Sequence, residues 1–334
     1  MVEIIVTASF TPQLLDKLRA VSSQIKVEPI SLTDRRWPED KEMSAEIYYA
    51  TNGLPPLEQA PNLRWVQLHW AGVDHLREQP IWHSDVLLTS ASGIHAPNIG
   101  QYVMAQILAW ANRLPRWFHY QQQAKWPKDR WQKLLPDELR GQTLGILGYG
   151  SIGREVARLA KGFGLTVLAT KGNAKSLHHH GYAIPGTGDP QGEMVDRLYP
   201  PEAVRSMLAT CDYLVITLPL TSRTHHLINE SLLREMKPSA FLVNVGRGSI
   251  INEPDLVKAL QRGWIAGAGL DVFEQEPLPA DSPLWSMENV IISPHVSGFT
   301  PYYDERAVDL FADNIRRYLA GEPLLNQVNR EREY

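Results

Sequence analysis

The chain carries a single cysteine, Cys211, among 334 residues. That excludes an internal disulfide framework and a zinc site built from several thiolates. An excess of one charge is also missing. Lys and Arg number 33 against 37 Asp and Glu, a net charge of −4, so there is no electrostatic footprint for nucleic acid or an anionic membrane. No apolar run approaches the roughly 18 residues that mark a membrane-crossing helix. The opening MVEIIVTASF lacks the basic and long apolar regions of a signal peptide. Internal repeats and low-complexity tracts are absent. With 43% hydrophobic residues the chain has material for packed cores and is not a disordered sequence. At roughly 150 residues per domain, its length suggests two domains. The expectation left by these absences is a reduced, cytoplasmic, two-domain enzyme.

What is present is an alternation of short apolar runs with helical patterns. Strands are expected at 2–7, 25–30, 46–50, 65–68 and 86–90, with a helix at 12–21 capped by Thr11. A longer helix at 98–114 has Ile99, Val103, Ile107, Trp110 and Leu114 on one face, and Pro115 should end or kink it. A second series follows, with strands at 144–147, 166–170, 213–218, 241–245, 267–270 and 290–292 and helices at 151–163 and 302–319. Such alternation implies βαβ units and parallel sheets. Residues 116–140 are polar and Trp-rich. Residues 172–201 are rich in Gly, Pro and His and read as a long surface loop. His178, His179 and His180 lie in it, and adjacent histidines rarely chelate one ion, so no metal site is expected.

The segment Gly148-Tyr149-Gly150-Ser151-Ile152-Gly153 stands between an expected strand and an expected helix. In that context GxGxxG points to a dinucleotide. Gly148 permits a tight turn, Gly150 lets the backbone approach a pyrophosphate, and Gly153 lets the helix pack closely on the sheet. The helix N-terminus then faces an anion with free N–H groups. An NAD site normally carries Asp or Glu at the end of the next strand, bonded to the ribose 2′-OH. Here no Asp or Glu occurs between Glu155 and Asp189, and Thr170-Lys171 ends the strand, with Lys175 nearby. Arg158 and Lys161 belong to the preceding helix. A cation without a competing carboxylate suits a 2′-phosphate, so NADPH is expected over NADH.

The stretch LRGQTLGILGYGSIGREVARLAKGFGLTVLA resembles the cofactor segment of the D-isomer-specific 2-hydroxyacid dehydrogenases. Four later blocks agree in order and spacing: Leu218-Pro219-Leu220-Thr221 with Thr224, Asn244-Val245-Gly246-Arg247-Gly248, Gly269 to Pro277 (GLDVFEQEP), and Ser293-Pro294-His295-Val296-Ser297-Gly298. The resemblance covers nearly the whole chain. It implies a catalytic trio of Arg247, Glu276 and His295, and each residue type suits the chemistry. Arg247 offers a permanently charged fork for a 2-keto acid's carboxylate and ketone oxygen. His295 can donate or accept the proton at that oxygen, and Glu276 can orient its ring.

The resemblance also implies cofactor contacts at Gly148, Gly150, Ser151, Ile152, Gly153, Thr170, Lys171, Leu218, Pro219, Thr224, Val245, Gly246, Arg247, Asp271, His295 and Gly298. Substrate contacts are implied at Arg247 and at two backbone loops, Asn52-Gly53-Leu54 and Ala71-Gly72-Val73, with His69 and Trp70 flanking the second. Gln101 departs from the Glu common at its place. The implied architecture is a Rossmann NAD(P) domain, residues 101–296, inserted into a flavodoxin-like substrate domain, residues 1–100 plus 297–334. The two domains would flank a cleft. A homodimer through the cofactor domain is implied, with 116–140 a candidate for its interface.

The expected activity is hydride transfer between NAD(P)H and a small 2-keto acid, giving a D-2-hydroxy acid, with glyoxylate and hydroxypyruvate favoured. A 3-phosphoglycerate dehydrogenase-like enzyme is the alternative, disfavoured because no regulatory domain is appended. Formate dehydrogenases carry Gln at the place of Glu276. A non-catalytic, dinucleotide-sensing corepressor-like protein is opposed by the intact trio.

Overall fold

Short runs of Val, Ile, Leu and Tyr build the sheets in this computed structural model, which describes residues 1–32, 34, 37–38, 43–51, 53–172 and 177–334. In chain order the first elements are β1 (Val2–Val6), α1 (Pro12–Arg19), β2 (Ile25–Pro29), β3 (Ile47–Ala50), β4 (Trp65–Leu68) and β5 (Leu87–Thr89). Then come α2 (Ala96–Ala111), α3 (Leu114–Gln122), α4 (Arg130–Lys133), β6 (Thr143–Leu147), α5 (Ser151–Gly162), β7 (Thr166–Thr170) and β8 (Arg197–Tyr199). The rest are α6 (Val204–Leu208), β9 (Tyr213–Ile216), α7 (Glu230–Leu233), β10 (Phe241–Asn244), α8 (Glu253–Arg262), β11 (Gly267–Leu270), β12 (Val290–Ile292) and α9 (Tyr303–Ala320).

The chain divides into two compact units. Unit 1 comprises Met1–Ile94, His180–Tyr182 and Thr300–Tyr334, and unit 2 comprises His95–His179 and Ala183–Phe299. In unit 1 the described strands form a parallel sheet in the order β2-β1-β3-β4-β5, the flavodoxin-like order. Ile4, Val6, Ile47, Tyr49 and Trp65 face one core with Val308, Phe311 and Ile315 of α9. Ile5, Tyr48, Val66 and Leu88 face the other. Burial on both faces explains why these strands read as continuous apolar runs.

Unit 2 carries a parallel sheet in the order β12-β11-β10-β9-β6-β7-β8. Counted from β6, this is the dinucleotide-fold order 3-2-1-4-5-6 with β12 added at one edge. Val103 and Ile107 of α2 and Val156 and Ala160 of α5 cover one face. Met207, Leu208, Leu256 and Leu260 cover the other. The protein is thus of the α/β class, with two parallel-sheet units, as the alternating runs imply.

Two local expectations change. Helix α2 ends at Ala111, and Arg113 takes a left-handed conformation (φ 60°) before α3. Pro115 lies in the first turn of α3, where its missing N–H costs nothing, so it starts a helix rather than ending one. The long surface loop at 172–201 is corrected only at its end, since residues 177–196 carry no helix or strand. It contributes β8, paired with β7, and its described part is tied to α5 by buried polar groups. Arg154, Glu155 and Asp189 are all buried. Arg154 donates to the carbonyls of Asp189 and Leu177. Glu155 accepts the Gly188 N–H, and Asp189 accepts the N–H groups of Gly192, Glu193 and Met194 and the Tyr149 hydroxyl. A segment anchored by charge and backbone bonds shows no hydrophobic period, which is why it reads as loop.

Candidate active site

The glycine turn of unit 2 has the geometry a dinucleotide phosphate requires. Gly148 has φ 99°, where a Cβ is strongly disfavoured. A Cβ at Gly153 would lie 2.2 Å from the Gly148 carbonyl oxygen, whereas nothing lies within 4 Å of one at Gly150. The first and third glycines are therefore needed by the fold, and the second leaves the backbone open to a ligand. Helix α5 begins after Gly150 with no side-chain cap and no acidic residue in its first turn. Its leading N–H groups, at Ser151 and Ile152, are left for an anion. The residues present fit a dinucleotide pyrophosphate.

At the end of β7, Thr170 is buried and its hydroxyl accepts the Gly148 N–H at 3.3 Å, so it braces the turn. Lys171 is half-buried, with its backbone N–H on the Tyr199 carbonyl. Burial, and then the Arg154 charge, lower its ammonium pKa. Arg158 is paired with Glu155 through two hydrogen bonds, and Lys161 with Asp196 at 2.8 Å. These two cations are thus engaged elsewhere. Lys175 lies outside the described residues.

The residues of the implied trio all belong to unit 2. His295 Nδ1 lies 2.7 Å from Glu276 Oε2, and the other oxygen of Glu276 accepts the Phe273 N–H at 3.0 Å. That carboxylate is fixed at one end by backbone and is bonded at the other to the imidazole. His295 itself has φ 52°, and its N–H bonds the Asp271 carbonyl at 2.9 Å. Arg247 follows β10; its carbonyl accepts the Asn244 side-chain amide at 2.9 Å, and its own Nη1 donates to the Gly246 carbonyl.

The other cofactor candidates hold one another in place. Leu218 packs on the glycine turn, its N atom 3.2 Å from where a Gly148 Cβ would be, and its carbonyl lies 2.7 Å from a Cβ at Gly246. The Thr224 hydroxyl donates to the Pro219 carbonyl and accepts the Thr221 N–H, closing that turn. Val245 is buried, and a Cβ at Gly298 would meet His95 at 3.2 Å. Asp271 is fully buried. Its carboxylate accepts from Ser293 Oγ at 2.5 Å, Val296 N–H at 2.9 Å and Ser297 N–H at 3.0 Å. The sequence marks Ser293 only as the first residue of the block that contains His295, with no role of its own.

In unit 1, Asn52 lies outside the described residues. Gly53 has φ 64°, and its carbonyl accepts the Tyr48 hydroxyl at 2.7 Å. Ala71 and Gly72 are half-exposed after β4. Trp70 donates its indole N–H to the Thr51 carbonyl at 2.8 Å. His69 is buried, bonded to the Tyr49 hydroxyl at 2.8 Å, and burial pushes its pKa down to about 4. Its 3.8 Å approach to Asp304 is therefore between a neutral ring and a carboxylate. Gln101 is exposed on α2. His179 donates its N–H to the Pro190 carbonyl.

A seven-stranded parallel sheet with an open glycine turn, and with a carboxylate–imidazole pair in the same unit, defines a dinucleotide-dependent oxidoreductase. The chain belongs to the D-isomer specific 2-hydroxyacid dehydrogenase family: residues 104–297 match the model of that family's NAD binding domain. A glyoxylate reductase of Korarchaeum cryptofilum is 36% identical over 276 residues, 82% of this chain and 78% of that protein. A D-isomer specific 2-hydroxyacid dehydrogenase of Xanthobacter autotrophicus, solved with NADPH and MES, superimposes with a TM-score of 0.81 at 29% identity, covering 99% of this chain and 100% of the other. The NADPH-dependent glyoxylate/hydroxypyruvate reductase of Sinorhizobium meliloti, solved with NADP and sulfate, gives 0.80 at 26% identity over the whole of both chains. Among the described residues no helix is long and apolar enough to cross a membrane.

Proposed function

We propose that this enzyme reduces small 2-keto acids, glyoxylate and hydroxypyruvate foremost, with NADPH as the preferred donor. The observation that carries the reading is the 2.7 Å bond between His295 and Glu276, found in the unit that also holds Arg247 and the open glycine turn. When bound, the nicotinamide supplies the hydride. Arg247 presents its fork to the substrate carboxylate and ketone oxygen. His295, with its Nδ1–H donated to Glu276, delivers the proton to the ketone oxygen from Nε2 and acts as the base in the reverse direction. The names of the glyoxylate reductase relatives favour glyoxylate over 3-phosphoglycerate as the substrate.

On this reading unit 2 is the cofactor domain and unit 1 the substrate domain. In unit 1 the backbone of Gly53, Ala71 and Gly72 offers donors to a carboxylate, and Asn52 keeps its place as a candidate. Lys171 takes the 2′-phosphate; Asp271, implied by the resemblance to meet the carboxamide, is instead fully buried with both carboxylate oxygens engaged and supports the site from behind, and the remaining cofactor candidates line the dinucleotide. Trp117, Phe118, Trp126, Trp131 and Leu135 are exposed on and around α3 and α4. Apolar exposure of this kind marks association surfaces, and we assign it to a homodimer of a cytoplasmic enzyme.

The test is kcat/KM for a panel of 2-keto acids with each cofactor at one ionic strength. Glyoxylate or hydroxypyruvate with NADPH is expected to rank first. A charge-assisted contact to phosphate is worth about 1.5–3 kcal/mol, roughly ten- to 150-fold in affinity. Lys171→Asp is expected to abolish or reverse the cofactor preference. No turnover of any 2-keto acid would favour the non-catalytic reading, and a wild type that favours NADH would remove Lys171 from cofactor choice.

A further inference from the structure

Helix α2 packs on β10, and its side chains reach along the neighbouring β11 like the marks of a ruler. Trp110, Gln106 and Tyr102 stand four residues apart, on one helical face. The first two reach β11 where the strand has no side chains. A Cβ at Gly267 would lie 2.5 Å from Trp110 Cη2, and one at Gly269 would lie 3.0 Å from Gln106 Oε1. Four helical residues advance about 6 Å and two strand residues about 6.6 Å, so the rungs stay in step. The third rung, Tyr102, therefore falls level with position 271.

There the hydrogen bonds run one way. Gln106 Nε2 donates to the Tyr102 hydroxyl at 2.8 Å. Tyr102 Oη and Ser293 Oγ are 2.5 Å apart, and Ser293 donates to Asp271 Oδ1 at 2.5 Å, which leaves the phenol as donor to the serine. Burial pushes the Tyr102 pKa up to about 12, so the phenol keeps its proton. The Asp271 carboxylate at the end of this series also accepts the N–H groups of Val296 and Ser297, the two residues after His295. His295 holds φ 52°, in the left-handed region that is uncommon for residues other than Gly.

We propose that Ser293 and Tyr102 are positioning residues for the proton-transfer step: they hold the Asp271 carboxylate, and through it the left-handed turn that presents the His295 imidazole. This rests on the reading of His295 as the acid in 2-keto acid reduction. Neither residue touches substrate. The ruler determines where the carboxylate stands, and the carboxylate determines the turn.

The experiment is steady-state kinetics on glyoxylate with NADPH, and with NADPH deuterated at the transferred position, for wild type, Ser293→Ala, Ser293→Thr and Tyr102→Phe, alongside Tm. Ser293→Ala loses one donor to a buried carboxylate, so kcat is expected to fall about tenfold. Both KM values should stay within about twofold and the isotope effect should rise, because the chemical step is what slows. Ser293→Thr keeps the hydroxyl and should restore kcat. Tyr102→Phe leaves the serine bond and should cost only about threefold. An Ala variant with wild-type kcat overturns the proposal. So does a fall in kcat that tracks a fall in Tm and that Thr does not relieve. If the wild type reduces no 2-keto acid, the functional reading fails and takes this inference with it. An active wild type with indifferent variants overturns the inference alone.

Discussion

A side chain at Gly248 would collide with Phe273: a Cβ there would fall 1.8 Å from the Phe273 carbonyl carbon and 2.4 Å from the Glu274 nitrogen. The turn that carries Arg247 thus lies directly against the turn that carries Glu276, backbone on backbone. Gly248→Ala must separate them. A displacement near 1 Å can cost about 100-fold in rate, and overpacking costs typically 1–3 kcal/mol of stability. The variant is expected to lose both kcat and thermal stability, read by steady-state kinetics and melting. Unchanged kcat in a folded variant would mean that the spacing of these two turns does not matter to catalysis.

His295→Ala removes the proposed proton donor while leaving the glycine turn intact. The expected fall in kcat is at least about 100-fold, with NADPH binding, followed by tryptophan fluorescence, close to wild type. Glu276→Gln keeps an acceptor for the imidazole but drops its charge, and should fall between the two. Near wild-type turnover in His295→Ala would take the imidazole out of the mechanism.

Arg247→Lys separates charge from shape. A lysine keeps the charge and loses the planar fork, so both kcat and the keto acid KM should remain badly impaired. Full kcat/KM in the lysine variant would show that a point charge is enough.

His69 gives unit 1 a pH dependence. Burial holds its folded pKa at about 4 against 6.5 unfolded, so the unfolded chain takes up the proton first as pH falls. The stability contribution is complete above pH 6.5 and is lost progressively as pH falls toward 4, by roughly 3 kcal/mol in all. Around the ring stand Tyr49, Tyr303 and Asp304. His69→Gln does not titrate and should flatten the loss of stability between pH 7 and 4.5, measured by urea unfolding of wild type and variant. An equally steep acid dependence in the variant would show that His69 charges without penalty.

The order of the elements was legible in one dimension for physical reasons. Strands buried on both faces, such as Ile47–Ala50 and Tyr213–Ile216, must be apolar along their whole length. A phosphate-binding turn must spell its glycines at fixed spacing because Gly148 and Gly153 have no room or no conformational latitude for a Cβ. Residues whose partners are distant left no such mark. Arg154, Glu155 and Asp189 look like surface charges in sequence, yet are buried: Arg154 and Glu155 meet backbone groups of a distant segment, and Asp189 caps its own turn and takes the Tyr149 hydroxyl. Gly267 and Gly269 look like weak points in a strand, until Trp110 and Gln106 are seen to occupy the space that side chains there would take. Sequence alone determined which groups were available: the fork, the imidazole, the carboxylate and the cation at Lys171. Only the tertiary structure decided that Glu276 meets His295 and that Asp271 holds its turn, because hydrogen bonds act over about 3 Å of space and that distance is set by packing between elements far apart in the chain.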